Sequence, residues 1–348
     1  MSKPIILIPS YNPDNTLKET IELLQSRGFS RIVVVNDGSK AECAPFFEEV
    51  ADIPGVHFLV HAVNQGKGRA MKTGFNYILW RFPGTGCIVC DADGQHPADS
   101  VEDVAKAMGE NPDAMVLGVR RFTENKDMPK ANFMGNQITR LVFFLLTGMR
   151  YADTQCGLRG YPASVMARIM ACRGERFEYE NTMLLDVRRL SIPIVQVGMP
   201  AIYQEEGKYV SHFNKVRDSI RIYKLLLGHA LLPIIAGVFA FALMLLLVLA
   251  APGLTAGVVH LGAPLGYLLG WLMMLVAVPA KNRGKGVLAA LGVTLGGSAL
   301  YALLALWMPA HPVACWWIAA PFVAWASYAV YLYLHDGPVP ANKRLDKK

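Results

Sequence analysis

The chain predicts an α/β domain followed by interfacial helices and four transmembrane α-helices. Three observations carry that expectation. Over residues 1–110, short β-branched runs alternate with helical apolar spacing, which marks a mostly parallel sheet. Residues 225–280 contain no Asp, Glu, Lys or Arg, and neither do residues 286–335. Charge is split as well: residues 1–224 carry 27 Lys+Arg against 25 Asp+Glu, and the remainder carries 7 against 2.

The elements follow in order. Ile5–Ile8 reads as a buried strand, Leu17–Arg27 as a helix ending at Gly28, and Arg31–Val35 as a second strand closed by Asn36-Asp37-Gly38-Ser39. Val56–His61 is a third strand, Gly68–Arg81 a helix, and Cys87–Cys90 a fourth strand broken by Asp91-Ala92-Asp93-Gly94. Further strands are expected at Met115–Val119 and Ile192–Val197, with a helix at Asn132–Gly148 between them. Ligands of such sheets bind beyond the carboxyl ends of the strands. The polar clusters at Ser10–Asn12, Asn36–Ser39 and Asp91–His96 all follow strands, so they should converge on one crevice.

Ser211–Leu227 sets Lys215, Arg217, Arg221 and Lys224 among apolar residues, as a helix on a membrane surface would. Four apolar stretches follow, at about 230–251, 262–280, 287–308 and 313–334, each near the roughly 20 residues that span a hydrocarbon core. Lys281-Asn282-Arg283-Gly284-Lys285 joins the second and third, and the tail holds Lys343, Arg344, Lys347 and Lys348. The connections near Pro252–Leu261 and Pro309–Pro312 lack Lys and Arg, so the 281–285 loop and both termini are expected in the cytoplasm. The expected division is residues 1–210 as the α/β domain, 211–228 as the interfacial helix, 229–335 as the membrane domain and 336–348 as a basic cytoplasmic tail.

Composition narrows the function classes. The 348 residues are 53% hydrophobic and 18% charged, with a net charge of +7. That excess lies at the basic ends of an apolar region, so it does not point to a nucleic-acid partner. Ile5–Ile8 is too short for the apolar core of a signal peptide and is followed at once by Pro9. Cys87 and Cys90 have C-x-x-C spacing inside a strand-like run, where residues three apart face opposite ways. The six cysteines therefore read as thiols of a protein in reducing surroundings.

Asp91-Ala92-Asp93 carries the chemistry. Two carboxylates spaced i, i+2 at a strand end can share a hard cation such as Mg²⁺ or Mn²⁺ and bridge it to substrate phosphates. The same residues also suit an ordinary acidic turn. His96 reads as a ligand or a turn residue before Pro97. Glu178 and Glu180 would share a site on a strand or face different ways on a helix, and they are the candidates for a general base.

The segments Pro9-Ser10-Tyr11-Asn12, Val35-Asn36-Asp37-Gly38-Ser39, Asn64-Gln65-Gly66-Lys67-Gly68 and Asp91-Ala92-Asp93-Gly94-Gln95-His96-Pro97 together resemble the family 2 glycosyltransferases, in particular those with a polyprenyl-phosphate acceptor. The resemblance covers roughly residues 4–224, and Asp153-Thr154-Gln155-Cys156-Gly157-Leu158-Arg159 and Ser211-His212-Phe213-Asn214 extend it. The four apolar stretches resemble, in number and layout, the GtrA-like membrane domain fused to such enzymes. The resemblance implies a GT-A fold, a Rossmann-like nucleotide-diphospho-sugar transferase domain.

It also implies roles. Pro9, Tyr11 and Asn12 would line the pocket of a UDP- or GDP-linked sugar, Asp37 would hydrogen-bond the base beside Gly38, and Lys67 and Ala92 would lie near the donor. Asp91, Asp93 and Gln95 would hold the metal and diphosphate, which places Asp91 and Asp93 at the catalytic centre. Arg120 would meet the acceptor phosphate, joined by Lys130 and Arg159. Arg159 has a second reading as an ion-pair partner of Asp153. Where the family carries Glu after the Tyr-Asn pair, Pro13 stands here and Asp14 follows; where it carries more Arg, Lys130, Ala131 and Asn132 stand.

The expected reaction is inverting, metal-dependent transfer to an undecaprenyl or dolichyl phosphate at the cytoplasmic face of the plasma (inner) membrane. A phosphate monoester has a second pKa near ~6, so its oxygen is already a nucleophile at neutral pH and needs no base. The alternative is a transporter or scaffold with an inactive sugar-nucleotide-binding head. The apolar stretches hold no Asp, Glu, Lys or Arg, which transport paths usually keep.

Overall fold

The computed structural model describes residues 3–121, 130–200, 282–308 and 312–345, with 220–222, 224, 225 and 228 in addition. The chain divides into two compact units. One comprises Met1–Phe144, Met149–Leu225 and Pro340–Lys348, and the other Leu145–Gly148 and Leu226–Val339.

The first unit is built on an eight-stranded mixed sheet. Its strands are β1 (Ile5–Ser10), β2 (Ile32–Asn36), β3 (Val56–Val60), β4 (Cys87–Val89), β5 (Met115–Arg120), β6 (Arg159–Tyr161), β7 (Ile194–Met199) and β8 (Asn342–Leu345). They lie in the order β3-β2-β1-β4-β6-β5-β7-β8. The helices of this unit are α1 (Thr16–Ser26), α2 (Ala44–Ala51), α3 (Lys67–Arg81), α4 (Ala98–Glu110), α5 (Lys130–Thr147), α6 (Ala163–Ile169) and α7 (Glu178–Asp186).

The unbroken apolar runs decide the centre. Ile5–Ile8, Ile32–Val35 and Cys87–Val89 are buried, as strands covered on both faces must be. Leu17, Ile21 and Leu24 line one stripe of α1, and Val101, Val104 and Met108 one stripe of α4; both stripes join the core. Burying each such side chain contributes roughly 1.5–3 kcal/mol.

Strand order places the crevice. From β1 the chain moves outward through β2 and β3, then crosses back to add β4 on the other flank of β1. The carboxyl ends of β1 and β4 therefore border the point where the sheet changes direction, the usual ligand position of such sheets. One departure from a mostly parallel sheet completes the site. β6 runs antiparallel between β4 and β5, with Val89 opposite Arg159. The residues just before β6 thus arrive where β4 ends.

A second departure concerns the tail. Residues 342–345, expected as free tail, form β8 and pair parallel with β7 from Ile194–Asn342 to Val197–Leu345. Lys343 and Arg344 suit an edge strand, where charge discourages further pairing.

In the second unit, α8 (Arg283–Trp307) and α9 (Pro312–Asp336) pack together. Tyr301 meets Cys315, Ala319 and Val323 in one cluster, and Ala290 meets Leu334 in another, so the two run antiparallel. Leu288, Leu295, Leu306, Trp307 and Phe322 point outward. Among the described residues one helix, Gly284–Trp307, is long and apolar enough to cross a membrane. The expected spans at 287–308 and 313–334 correspond to α8 and α9, whereas those at 230–251 and 262–280 lie outside the described residues, as does most of the 211–228 helix.

Candidate active site

Asp91 follows β4, and its carboxylate is the hub. Lys67 opens α3 and places Nζ 2.7 Å from Asp91 Oδ1 and 3.1 Å from Glu180 Oε2. His96 Nε2 stands 3.5 Å from Asp91 Oδ2. Gly157, delivered by the antiparallel entry of β6, lies against the same carboxylate; a Cβ there would strike Asp91 Oδ2. Burial alone would raise the Asp91 carboxyl, but the Lys67 ammonium and then His96 hold it well below the ordinary carboxylate range. Burial alone would lower the Lys67 ammonium, and Asp91 and Glu180 more than offset that, raising it above its usual range.

The remaining acids sort themselves by partner. Asp93 Oδ1 accepts from the Gln95 amide at 3.0 Å, which closes the Asp93–Gln95 turn. Glu178 and Glu180 lie in α7, so they point different ways. Glu178 Oε1 accepts from the amides of Glu175 and Arg176 and braces the helix start, while Glu180 reaches Lys67.

Asp37 is held by the segment that follows β3. Its buried carboxylate accepts four hydrogen bonds: from His61 Nδ1 (2.8 Å), Asn64 Nδ2 (2.9 Å), Gln65 N (2.9 Å) and Gly66 N (2.7 Å). A carboxylate has about four acceptor positions. These bonds shape the turn that presents Lys67. Because the carboxylate only accepts, His61 Nδ1 carries a proton, and a neutral ring then takes the Thr73 hydroxyl on Nε2 at 2.9 Å. Gly38 makes the same turn possible: its φ is +62°, and a Cβ would overlap the Val63 backbone.

Arg159 is buried, and its guanidinium donates to the carbonyls of Cys156 (3.0 Å), Glu180 (2.7 Å) and Thr154 (3.3 Å). It ties the 154–156 segment to α7. It does not pair with Asp153. Arg120 does, through Nε to Oδ2 (2.7 Å) and Nη2 to Oδ1 (3.1 Å), a bidentate fork that aims the guanidinium at the end of β5.

Pro9, Tyr11 and Asn12 are half-buried at the end of β1. Asn12 has φ +47°, donates its amide to Ser39 Oγ and accepts from the Lys40 amide on Oδ1, each at 2.9 Å. Those bonds clamp the loop after β1 to the loop after β2. Asp14 is exposed; its Oδ1 accepts from the Thr16 amide at 2.9 Å and lies 2.5 Å from the Thr16 hydroxyl, which also reaches the Ala92 carbonyl at 3.0 Å. Asp14 thus braces the first turn of α1. Lys130 begins α5, and its side chain lies outside the described residues. Sequence reasoning gave Gly157 no role of its own and did not connect Glu180 with Lys67. The resemblance of the 153–159 segment was the available signal for Gly157; nothing in spacing marked the Lys67–Glu180 pair.

Cys87, Cys90 and Cys156 are free and buried. Burial pushes Cys156 up to about 12 and Cys87 and Cys90 well above the usual thiol range, so all three stay protonated.

Among the described residues no group of three or more His, Cys, Asp or Glu is gathered to hold a metal ion. The oxygen donors of Asp91 and Asp93 fit a cation of another kind. Mg²⁺ and Mn²⁺ accept one or two carboxylates and complete their shell with substrate phosphates and water.

The mixed sheet, with the Asp91–Asp93 turn and Lys67 at its switch point, is a GT-A-like α/β fold. The chain belongs to "Glycosyl transferase family 2", which it matches over residues 5–182, and it is a glycosyltransferase. It is 30% identical over 203 residues to an uncharacterised Methanocaldococcus jannaschii protein, covering 58% of this chain and 82% of that one. It is 26% identical over 216 residues to the UDP-N-acetylglucosamine–dolichyl-phosphate N-acetylglucosaminyltransferase of Methanococcus voltae, covering 58% and 86%. It is 28% identical over 218 residues to the undecaprenyl-phosphate 4-deoxy-4-formamido-L-arabinose transferase of Edwardsiella ictaluri, covering 59% and 62%.

Proposed function

We propose that the chain transfers a sugar from a UDP- or GDP-linked donor to a polyprenyl phosphate, undecaprenyl or dolichyl, with inversion at the anomeric carbon. The observation that carries this is the state of the two carboxylates that could have served as a base. Glu180 is engaged by Lys67, and Glu178 by the amides of Glu175 and Arg176. Both side chains are thus committed to bracing Lys67 and the start of α7, with one oxygen of each left over. An acceptor phosphate, ionised above pH ~6, needs no such base. The names of the Methanococcus and Edwardsiella relatives, both lipid-phosphate transferases, support the same acceptor class.

In this reading Pro9, Tyr11, Asn12 and the Ala92 backbone line the nucleotide. Asp91 and Asp93, with Gln95, would hold a Mg²⁺ or Mn²⁺ beside the diphosphate. When bound, that cation stabilises the charge developing on the leaving group. Arg120, steadied by Asp153, orients the acceptor phosphate with Lys130 and screens its charge from the donor. The chain's own work is thus positioning and neutralisation.

A polyprenyl phosphate keeps its head group at the membrane surface, so the transfer takes place there. Met134, Ile138 and Leu141 are exposed at helical spacing on α5, which suits a face laid on a bilayer. Residues 226–339 both leave from and return to the first unit, because β8 pairs with β7. Any crossings between them must therefore be even in number. Four spans of a GtrA-like domain meet that condition, with the catalytic unit, the 281–285 loop and both termini in the cytoplasm.

The test is direct. Purified full-length protein, a panel of UDP- and GDP-sugars, polyprenyl phosphate and Mn²⁺ should yield a lipid-linked sugar from one donor. Nucleotide-sugar turnover with no lipid product from any donor overturns the proposal.

A further inference from the structure

Lys67 opens α3 and turns its side chain to two acids. Its ammonium sits between two carboxylates, 2.7 Å from Asp91 and 3.1 Å from Glu180, and little of it is exposed. Asp91 is also the residue best placed to bind the donor's cation. The two occupants conflict, because a dication and an ammonium on one carboxylate repel at short range in a partly buried site.

Glu180 resolves that conflict. Its Oε2 already touches Lys67, and its Oε1 is buried with no hydrogen-bond partner. The carboxylate therefore has capacity to receive Lys67 fully. Arg159 fixes Glu180 from behind by donating to its backbone carbonyl at 2.7 Å, so the acceptor of the ammonium is held in place. The flexible lysine stem needs only a small rotation to exchange one carboxylate for the other.

We propose that Lys67 is an internal stand-in for the donor's divalent cation, neutralising Asp91 while the crevice is empty, and that Glu180 is the positioning residue that receives Lys67 when the cation enters with the diphosphate. The inference rests on the metal-dependent reading above and deepens it. Free Mn²⁺ should consequently bind weakly, and cation and nucleotide should bind together.

The experiment titrates Mn²⁺ into the full chain in detergent and reads free Mn²⁺ by electron paramagnetic resonance, first alone and then with UDP or GDP. Lys67→Met should tighten binding of Mn²⁺ alone by about tenfold or more, the scale of one charged hydrogen-bond partner. Glu180→Gln should weaken Mn²⁺ binding in the presence of nucleotide by a similar factor, since Lys67 then has no second carboxylate. Lys67→Arg should stay near the parent protein. Lys72→Met is the control for a general field effect: Lys72 pairs with Glu175 further along α3, and its loss should change Mn²⁺ affinity less than about twofold. The double variant Lys67→Met/Asp91→Asn should lose the gain. The proposal is overturned if Lys67→Met binds Mn²⁺ no better than the parent, if Lys72→Met tightens it equally, or if Glu180→Gln tightens it. Failure to form a lipid product while Lys67→Met still tightens Mn²⁺ would reject the acceptor class and leave this inference standing.

Discussion

Gln196 Nε2 donates a 2.7 Å hydrogen bond to Asn342 Oδ1, and through it the end of the chain is read by the interior of the catalytic unit. Gln196 is buried in β7; its Oε1 accepts from the Ala152 amide, while Asn342 Nδ2 donates to the Arg150 carbonyl. β8 is thereby fixed in register and belongs to the same unit as the amino terminus. A reporter fused after residue 348 should therefore lie on the same side of the membrane as Cys43, just before α2, measured by thiol labelling of intact and permeabilised cells. Opposite sides would refute the pairing of β7 with β8.

Asp37 should matter for stability before it matters for nucleotide binding. Asp37→Ala removes a buried carboxylate and leaves His61, Asn64 and two backbone amides without their acceptor. A loss of roughly 2–4 kcal/mol is expected. Denaturant unfolding of the full chain reads it. Unchanged stability with lost nucleotide affinity would leave Asp37 a base-binding role alone.

Arg120 and Glu178 should separate the two acceptor classes. Arg120→Ala should sharply reduce transfer to polyprenyl phosphate while leaving nucleotide affinity nearly unchanged. Glu178→Gln should slow transfer only modestly. A hydroxyl acceptor would reverse the pattern, since loss of a general base costs about 10²–10⁴-fold. Paired measurement of transfer rate and nucleotide affinity decides between them.

Asp91→Asn and Asp93→Asn should each nearly abolish transfer with the fold retained, as judged by circular dichroism. Chelator should do the same to the parent protein, and added Mn²⁺ or Mg²⁺ should restore it. Full activity in EDTA would remove the metal from the mechanism.

The Lys67–Asp91 pair predicts a pH window. Asp91 is held below its ordinary value of 3.8, so its contribution is present above that value and is lost as pH falls beneath it. Lys67 is raised above 10.5, so its contribution is complete below that value and is lost only as pH rises through its still higher folded value. The stability difference between the parent and Lys67→Met should thus be flat from pH 5 to about pH 9 and shrink below about pH 4. A difference that changes steeply near neutrality would contradict the assignment.

Much of this protein is legible from local pattern alone. Apolar runs such as Ile5–Ile8 and Ile32–Val35 have to be buried strands, and Asp91-Ala92-Asp93 had to follow one of them. Periodicity and turn chemistry are properties of neighbouring residues, so the sequence states them directly. Partners distant along the chain are a different matter. Whether Arg159 or Arg120 takes Asp153 depends on β6 entering antiparallel between β4 and β5. That reversal also brings Gly157 onto Asp91 and turns Arg159 inward. Glu178 and Glu180 are ambiguous until α7 sets their directions, and nothing local shows that the 64–66 turn folds onto Asp37. Asn342 reads as tail because Asn342, Lys343 and Arg344 carry no burial signal; only an open edge at β7 makes them a strand. The sequence by itself determined which residues could do chemistry, and the tertiary structure decided which charge each one meets, because electrostatic partnership depends on distance in space.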